Sequence, residues 1–308
     1  MADSVGAVAR PPLRKRYGQH HLVSGALCSP LVAFLRPAGA RVVEIGPGGG
    51  VLTRELLAAG AGRVVAWEID LAWAAELSRR LADRRLAVVA GDALRLDWPS
   101  LAAAGPVLAT GNLPYNVATP ILERLLPHHR EVPRAAFLVQ REVAQRLVAG
   151  PGDADYGSLS VLVASYAEAR LLGRVARGAF RPPPKVEGAF VGLALRPPPL
   201  AEGEMGAFLA TVRAAFARRR KTLRNSLAAA WGRAGAEEVL GPFLAAHGLP
   251  PTARAEGLSL ALLVDLHRRR VPSSLTAAPE PQPAAAPAPP AGWRGRRRSP
   301  PPGRGGRG

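Results

Sequence analysis

The chain has 308 residues and a mass of 32.3 kDa, which allows one large core and a smaller second domain. A formal charge of +18 and a pI near 11.5 favour a polyanionic partner such as nucleic acid. The single cysteine, Cys28, excludes an internal disulfide and a cysteine-based zinc cluster, and no run of about 18 apolar residues predicts a membrane span. We expect a cytoplasmic protein that binds neither a membrane nor a metal ion.

The part of the chain from Arg41 to Leu195 alternates between short apolar runs and amphipathic stretches, as in a doubly wound parallel sheet. Predicted strands cover residues 42–45, 64–67, 87–89, 107–110, 135–140, 164–169 and 189–195. Predicted helices between them cover residues 52–59, 72–82, 120–126 and 142–149. The fold class is therefore α/β with a mostly parallel sheet.

The proline run at residues 197–199 ends this alternation, and the stretches that follow are helical: residues 205–231, 236–247 and 259–269. Residues 272–308 are rich in Pro, Ala, Gly and Arg and contain too few large apolar residues to form a core. We predict an N-terminal arm at residues 1–12, an α/β domain at 13–198, a small helical domain at 199–271 and a disordered tail at 272–308.

Three features after the first three strands suggest a nucleotide-like cofactor. Gly46 begins a glycine-rich turn, which lets the backbone approach a ligand closely. Val51 stands where the dinucleotide fingerprint requires glycine, which disfavours a nicotinamide or flavin site. Glu68 and Asp92 follow the next two strands, where carboxylates can accept hydrogen bonds from a ribose and from an adenine amino group. NAD and S-adenosylmethionine both fit the Gly46 and Glu68 pair.

The sequence Asn112-Leu113-Pro114-Tyr115 follows the fourth strand and predicts methylation of an exocyclic amine. The lone pair of such an amine is delocalised into the ring. The side-chain carbonyl of Asn112 and the backbone carbonyl of Leu113 or Pro114 can accept its hydrogens and redirect that lone pair. Tyr115 can stack on an extruded base. Asn-x-Pro is also a common turn signal, but its place downstream of the other features favours the catalytic interpretation.

Taken together, the motifs resemble those of ribosomal RNA adenine dimethyltransferases of the KsgA type, from about Arg16 to Arg269. The matching segments are residues 16–22 (RYGQHHL), 44–48 (EIGPG), 91–93 (GDA), 112–116 (NLPYN), 140–144 (QREVA), 156–160 (YGSLS), 179–186 (AFRPPPKV) and 219–227 (RRKTLRNSL). The family usually has Asn-Phe-Leu where this chain has His20, His21 and Leu22.

The resemblance implies a Rossmann-like class I methyltransferase domain, a helical domain that docks on the ribosome, S-adenosylmethionine as methyl donor and the small-subunit 16S rRNA as partner. It implies that Phe180 faces Tyr115 across the target base. The implied cofactor contacts are His20, Leu22, Gly46, Glu68, Asp92 and Asn112, and the implied RNA contacts are Arg218, Arg219, Arg220, Lys221 and Arg224. We expect a monomer.

Three alternatives stay open at this point. An Erm-type methyltransferase of large-subunit RNA typically has Ile where Leu113 stands. A nonenzymatic ribosome-assembly factor would need the basic surface but not the Asn112 to Tyr115 motif. A nicotinamide oxidoreductase is disfavoured by Val51 and has no use for that motif.

Overall fold

The computed structural model describes residues 11, 20–114, 117–218 and 220–270. The predicted tail, and the predicted arm apart from residue 11, lie outside these residues. The strands are β1 (His21–Leu22), β2 (Arg41–Ile45), β3 (Arg63–Glu68), β4 (Leu86–Ala90), β5 (Val107–Asn112), β6 (Arg134–Gln140), β7 (Ala167–Val175), β8 (Phe180–Arg181) and β9 (Gly188–Leu195). The helices are α1 (Ser29–Leu35), α2 (Val51–Ala58), α3 (Leu71–Arg80), α4 (Trp98–Leu101), α5 (Ala118–Leu125), α6 (Arg141–Val148), α7 (Ser158–Tyr166), α8 (Glu202–Phe216), α9 (Leu223–Trp231), α10 (Arg233–Ala246) and α11 (Leu260–Arg270).

The central sheet has the order β4-β3-β2-β5-β6-β9-β7. The pairs from β4 to β6 are parallel, whereas β9 runs antiparallel to both β6 and β7. The chain moves outward from β2 in one direction and returns to β5 on the other side. In such sheets ligands bind at the carboxyl ends of the strands where the order reverses. Here that position lies between the ends of β2 and β5.

Both faces of the sheet are buried along β2, β5, β6 and β9, which explains the nearly continuous apolar character of these inner strands. Val43 and Ile45 of β2 face a core that also contains residues of α5, α6 and α7. Val42 of the same strand faces a second core with α1 and α2, in which Cys28 has 0% exposure. Burial raises the pKa of the Cys28 thiol to about 12, so it is a packing residue.

The predicted strand at residues 164–169 is wrong in its first half, because α7 continues to Tyr166 and β7 begins at Ala167. Six of the nine residues of α7 are buried, including Val161, Leu162 and Val163, and none of the nine is exposed. A helix that is buried all round has no polar face, so its sequence lacks the 3.6-residue period that would identify it.

The predicted helix at residues 205–231 is two helices, α8 and α9. The break falls where the Thr222 side chain accepts a hydrogen bond from Asn225 N and caps α9. Phe208 and Val212 of α8 belong to the same buried cluster as Val161 of α7, so the helical part and the sheet share one core. The boundary between the predicted domains stays a prediction. Among the described residues, no helix has the length and apolar character needed to cross a bilayer.

Candidate active site

The glycine-rich turn after β2 places backbone without side chains between the ends of β2 and β5, where the strand order of the sheet reverses. Gly46 and Gly48 have φ of 68° and 49°, a left-handed conformation that other residues rarely adopt. A Cβ added to Gly46 would lie 3.6 Å from the Asn112 carbonyl oxygen, and one added to Gly48 would lie 2.8 Å from His21 Nε2. A side chain at position 48 would therefore collide with the His21 ring, whereas at position 46 the left-handed backbone conformation is what favours glycine.

Glu68 ends β3 next to this turn and is only 4% exposed. Its Oε2 accepts a hydrogen bond from Gly48 N over 3.0 Å, and its Oε1 accepts one from Asp70 N, also over 3.0 Å. Burial raises its pKa above the usual value, and the backbone donors oppose that shift. The carboxylate is thus fixed in position and braces the glycine turn.

Asp92 follows β4 and caps a short turn, because its Oδ1 accepts a hydrogen bond from Leu94 N over 2.9 Å. The preceding residue, Gly91, lies against the indole of Trp67. A Cβ at Gly91 would lie 2.7 Å from Trp67 Nε1. Glycine before Asp92 therefore has a packing reason that the sequence alone does not reveal.

Asn112 ends β5, and its Nδ2 donates a hydrogen bond to the His20 carbonyl over 2.6 Å. Leu113 N donates to the Leu138 carbonyl over 3.0 Å, which holds the motif against β6. The Pro114 carbonyl accepts from Val117 N over 3.1 Å, whereas the Leu113 carbonyl accepts no hydrogen bond from any described residue. Leu113 is therefore the better candidate of the two backbone acceptors. Tyr115 lies outside the described residues.

Residues 20–23, which we call the entry segment, close one side of the site. His21 pairs with Arg181 and Leu22 with Phe180 in a short antiparallel ladder. His20 Nδ1 lies 2.8 Å from the Pro182 carbonyl oxygen, within hydrogen-bonding distance. The segment thus joins the Asn112 end of β5 to the proline-rich stretch after β8.

These elements form one cavity, and five of the six predicted cofactor residues line it: His20, Gly46, Glu68, Asp92 and Asn112. Leu22 does not line it, because its side chain packs in the core. His21 and Trp67 also line the cavity, although the sequence predicted neither as a site residue. The described ranges bring together no group of three or more His, Cys, Asp or Glu side chains suited to hold a metal ion.

Phe180 requires a correction. Its side chain is 0% exposed and belongs to the core that contains Leu22 and Leu138. A Cβ added to Gly188 would lie 3.2 Å from the end of its ring, so the space around it is full. A ring without exposed surface cannot stack on a base, so the structure assigns Phe180 to packing instead of to a base clamp.

The predicted RNA-binding cluster lies in the turn between α8 and α9 and not along a helix face. Arg218, Arg220 and Lys221 are exposed there, whereas Arg219 lies outside the described residues. Arg224, in the first turn of α9, is ion-paired with Glu237 over 2.6 Å. Its charge is therefore partly compensated within the protein.

A family model described as "Ribosomal RNA adenine dimethylase" matches residues 11–246. The chain belongs to this family. Among curated relatives, the ribosomal RNA small subunit methyltransferase A of Methylococcus capsulatus is 42% identical over 261 residues, which cover 84% of this chain and 98% of the relative. The protein of the same name from Burkholderia sp. is 46% identical over 221 residues, covering 70% and 79%.

Solved structures of related proteins agree with the dimethylase fold. A dimethyladenosine transferase from Plasmodium falciparum superposes with a TM-score of 0.67 at 24% identity and covers 80% of this chain and 96% of its own, which supports the fold alone. The 23S rRNA methyltransferase ErmE has a TM-score of 0.59 at 26% identity and covers 85% and 99%. The predicted fold class, family and enzyme class are confirmed: the chain is an rRNA adenine dimethyltransferase with a Rossmann-like domain.

Proposed function

We propose that this enzyme transfers methyl groups from S-adenosylmethionine to N6 of two adjacent adenines in the 3′-terminal hairpin of 16S rRNA. The observation that carries the proposal is the placement of Asn112 in the same cavity as Glu68 and Asp92. The curated relatives, which are named as small-subunit methyltransferases, support the choice of subunit.

The cavity has features that fit S-adenosylmethionine, which when bound supplies a methyl group activated by its sulfonium. The turn at Gly46 and Gly48 presents backbone without side chains to the cavity. Glu68 is a buried carboxylate whose two backbone hydrogen bonds leave further lone pairs for the hydroxyls of a ribose. Asp92 can accept a hydrogen bond from the amino group of the cofactor adenine. No metal is required by this chemistry.

Asn112 has the central role toward the substrate. Its Nδ2 already donates to the His20 carbonyl, so Oδ1 is the atom that accepts a hydrogen bond from the adenine amino group. The Leu113 carbonyl accepts the second hydrogen. The two acceptors orient the nitrogen lone pair out of conjugation, and the proton released after transfer goes to solvent. Orientation supplies most of the rate enhancement.

The remaining parts of the substrate site are expectations from the sequence. Tyr115 would stack on the extruded adenine, and Arg218, Arg219, Arg220, Lys221 and Arg224 would contact phosphates of the subunit. A monomer that acts in the cytoplasm is the expected form.

The test is to incubate the protein with methyl-labelled S-adenosylmethionine and with small or large ribosomal subunits that lack adenine dimethylation. Digestion of the RNA then maps the label. Dimethyladenosine near the 3′ end of the small-subunit RNA is the expected result. The likeness to ErmE makes large-subunit methylation the second candidate, and label found only there would overturn the small-subunit assignment. Tight subunit binding without any label would indicate an assembly factor.

A further inference from the structure

His21 places a titratable ring at the wall of the cofactor cavity. Its imidazole lies over the glycine turn, so that a Cβ added to Gly48 would lie 2.8 Å from Nε2 and 2.9 Å from Cε1. A Cβ added to Gly49 would lie 3.6 Å from Nδ1. His21 lines the same cavity as Glu68 and Asn112. The ring is therefore part of the surface that a bound cofactor would meet.

The position of this ring is set from two sides. The backbone of His21 is held in the short ladder opposite Arg181. The imidazole also packs edge-on against the buried indole of Trp73, with ring centroids 4.5 Å apart. The ring cannot turn away from the cavity without breaking one of these contacts, so a change in its charge is felt inside the cavity.

We propose that His21 is a specificity-determining residue that discriminates by charge between the methyl donor and the demethylated product. This inference rests on the proposed function. S-adenosylmethionine carries a sulfonium cation, whereas S-adenosylhomocysteine lacks the transferred methyl group and has a neutral sulfur. A neutral imidazole admits both compounds. An imidazolium repels the compound with the additional positive charge and shifts the preference toward product.

The charged groups around His21 set the background for this effect. Glu68, at the end of β3, accepts from Gly48 N beneath the ring. Asp70 caps α3, the helix that carries Trp73. Two cations also belong to the surrounding elements: Arg54 of α2 donates to the Gly49 carbonyl over 3.5 Å, and Arg181 pairs with His21 across the ladder. The two acids and two bases named here, all among the described residues, stay present when His21 alone is changed.

The ratio of the two dissociation constants isolates the contribution of His21. Protonation of the surrounding acids, or a change in the fold with pH, can also alter the affinity for the donor and for the product. In His21→Phe, the ratio of the dissociation constants of donor and product still reflects the effects of all these groups, but not that of the imidazole. Phe keeps an aromatic ring against Trp73, and His21→Gln provides a second neutral variant in case the first disturbs the ladder.

The experiment is isothermal titration calorimetry of the full chain with S-adenosylmethionine and with S-adenosylhomocysteine at several pH values from about 7.5 down to about 5.5, the range in which histidine side chains commonly change charge. In the parent protein, the ratio should shift roughly three- to tenfold toward product as pH falls, from repulsion of two charges in a partly screened site. His21→Phe and His21→Gln should lose most of this shift.

His129→Gln is the matched control, because His129 does not line the cavity and should keep the shift of the parent. A shift that persists in both His21 variants would overturn the role of His21 while leaving the proposed function intact. Failure of the parent protein to bind either compound at any pH would instead overturn the cofactor assignment and this inference with it.

Discussion

The side-chain amide of Asn112 donates a hydrogen bond to the backbone carbonyl of His20 over 2.6 Å, across 92 positions of the sequence. This contact fixes the orientation of the amide, and the proposed function assigns the amide oxygen to the substrate. It also fastens the entry segment to the end of β5, so the wall of the cofactor cavity and the substrate acceptor are positioned by one hydrogen bond. The cavity wall and the proposed substrate acceptor thus depend on residues that lie far apart in the chain.

Replacement of Asn112 by Ala should reduce methyl transfer by at least about 100-fold, because the acceptor that orients the adenine amine is lost. Affinity for S-adenosylmethionine should change less, since Glu68 and Asp92 remain. Single-turnover transfer and calorimetric binding measure the two quantities separately. Asn225→Ala, at an exposed position of α9, is the control and should leave both unchanged. Parent-like turnover in Asn112→Ala would reject its catalytic role.

Replacement of Glu68 by Ala should weaken S-adenosylmethionine binding by roughly 10- to 100-fold, because a buried acceptor is lost and Gly48 N is left without its partner. The effect on binding should exceed that of Asn112→Ala. Calorimetry measures it, and Glu187→Ala serves as a control because Glu187 is an exposed partner of Arg141. If Glu68→Ala bound the cofactor as tightly as Glu187→Ala, Glu68 would not be a cofactor residue.

Glu44 should make the stability of the protein depend on pH. It is buried at 1% exposure, and burial raises its pKa from 4.5 to about 7. Because folding raises this pKa, the native state binds the proton more tightly. The stabilisation is therefore complete below the unfolded pKa of 4.5 and is lost as pH rises to about 7.

The side chain in Glu44→Gln stays neutral at every pH, so this variant should not lose stability in this way as pH rises. Its free energy of unfolding, relative to that of the parent, should increase by up to about 3 kcal/mol between about pH 5 and about pH 8. Urea denaturation of both proteins across this range measures the difference. A difference that stays constant with pH would show that Glu44 is ionised throughout in the native protein.

Gly111→Ala should destabilise the fold and disrupt the site. Gly111 pairs with Ile45 in the parallel sheet, and an added Cβ would lie 2.2 Å from the Ile45 carbonyl oxygen. Overpacking against backbone costs about 1–3 kcal/mol or more, measured by urea denaturation. Gly206→Ala in α8 meets nothing within 4 Å and should be neutral or slightly stabilising. Equal stability of the two variants would contradict the close approach of β2 and β5.

Removal of the charges of Arg220 and Lys221 should weaken binding to the small subunit and flatten its dependence on salt. Each lost phosphate contact lowers the slope of log affinity against log salt by about 1. Arg224→Ala should have a smaller effect, because its guanidinium is ion-paired with Glu237. Filter binding at several salt concentrations tests this. Equal slopes for the double variant and the parent would exclude the turn as an RNA contact.

The sequence by itself located the strands β2 to β6 and β9 along the chain and the residues at the carboxyl ends of β2 to β5. Gly46, Glu68, Asp92 and Asn112 each follow an apolar run, and parallel strands bring their ends to one edge, so their meeting in one cavity was predictable. Local signals also located most helices. They missed α1, α4 and α7, and for α7 the reason is that a helix without an exposed face has no periodic pattern.

Only the tertiary structure decided what these residues touch. The ladder that buries Phe180 opposite Leu22 joins segments that no local pattern connects, and it turned a predicted base clamp into a core residue. The same ladder sets His21 over Gly48, which gives the cavity a titratable wall. Contacts of this kind arise from the packing of distant segments against a shared core. Their free energy depends on the whole fold and is not encoded in the spacing of neighbouring residues.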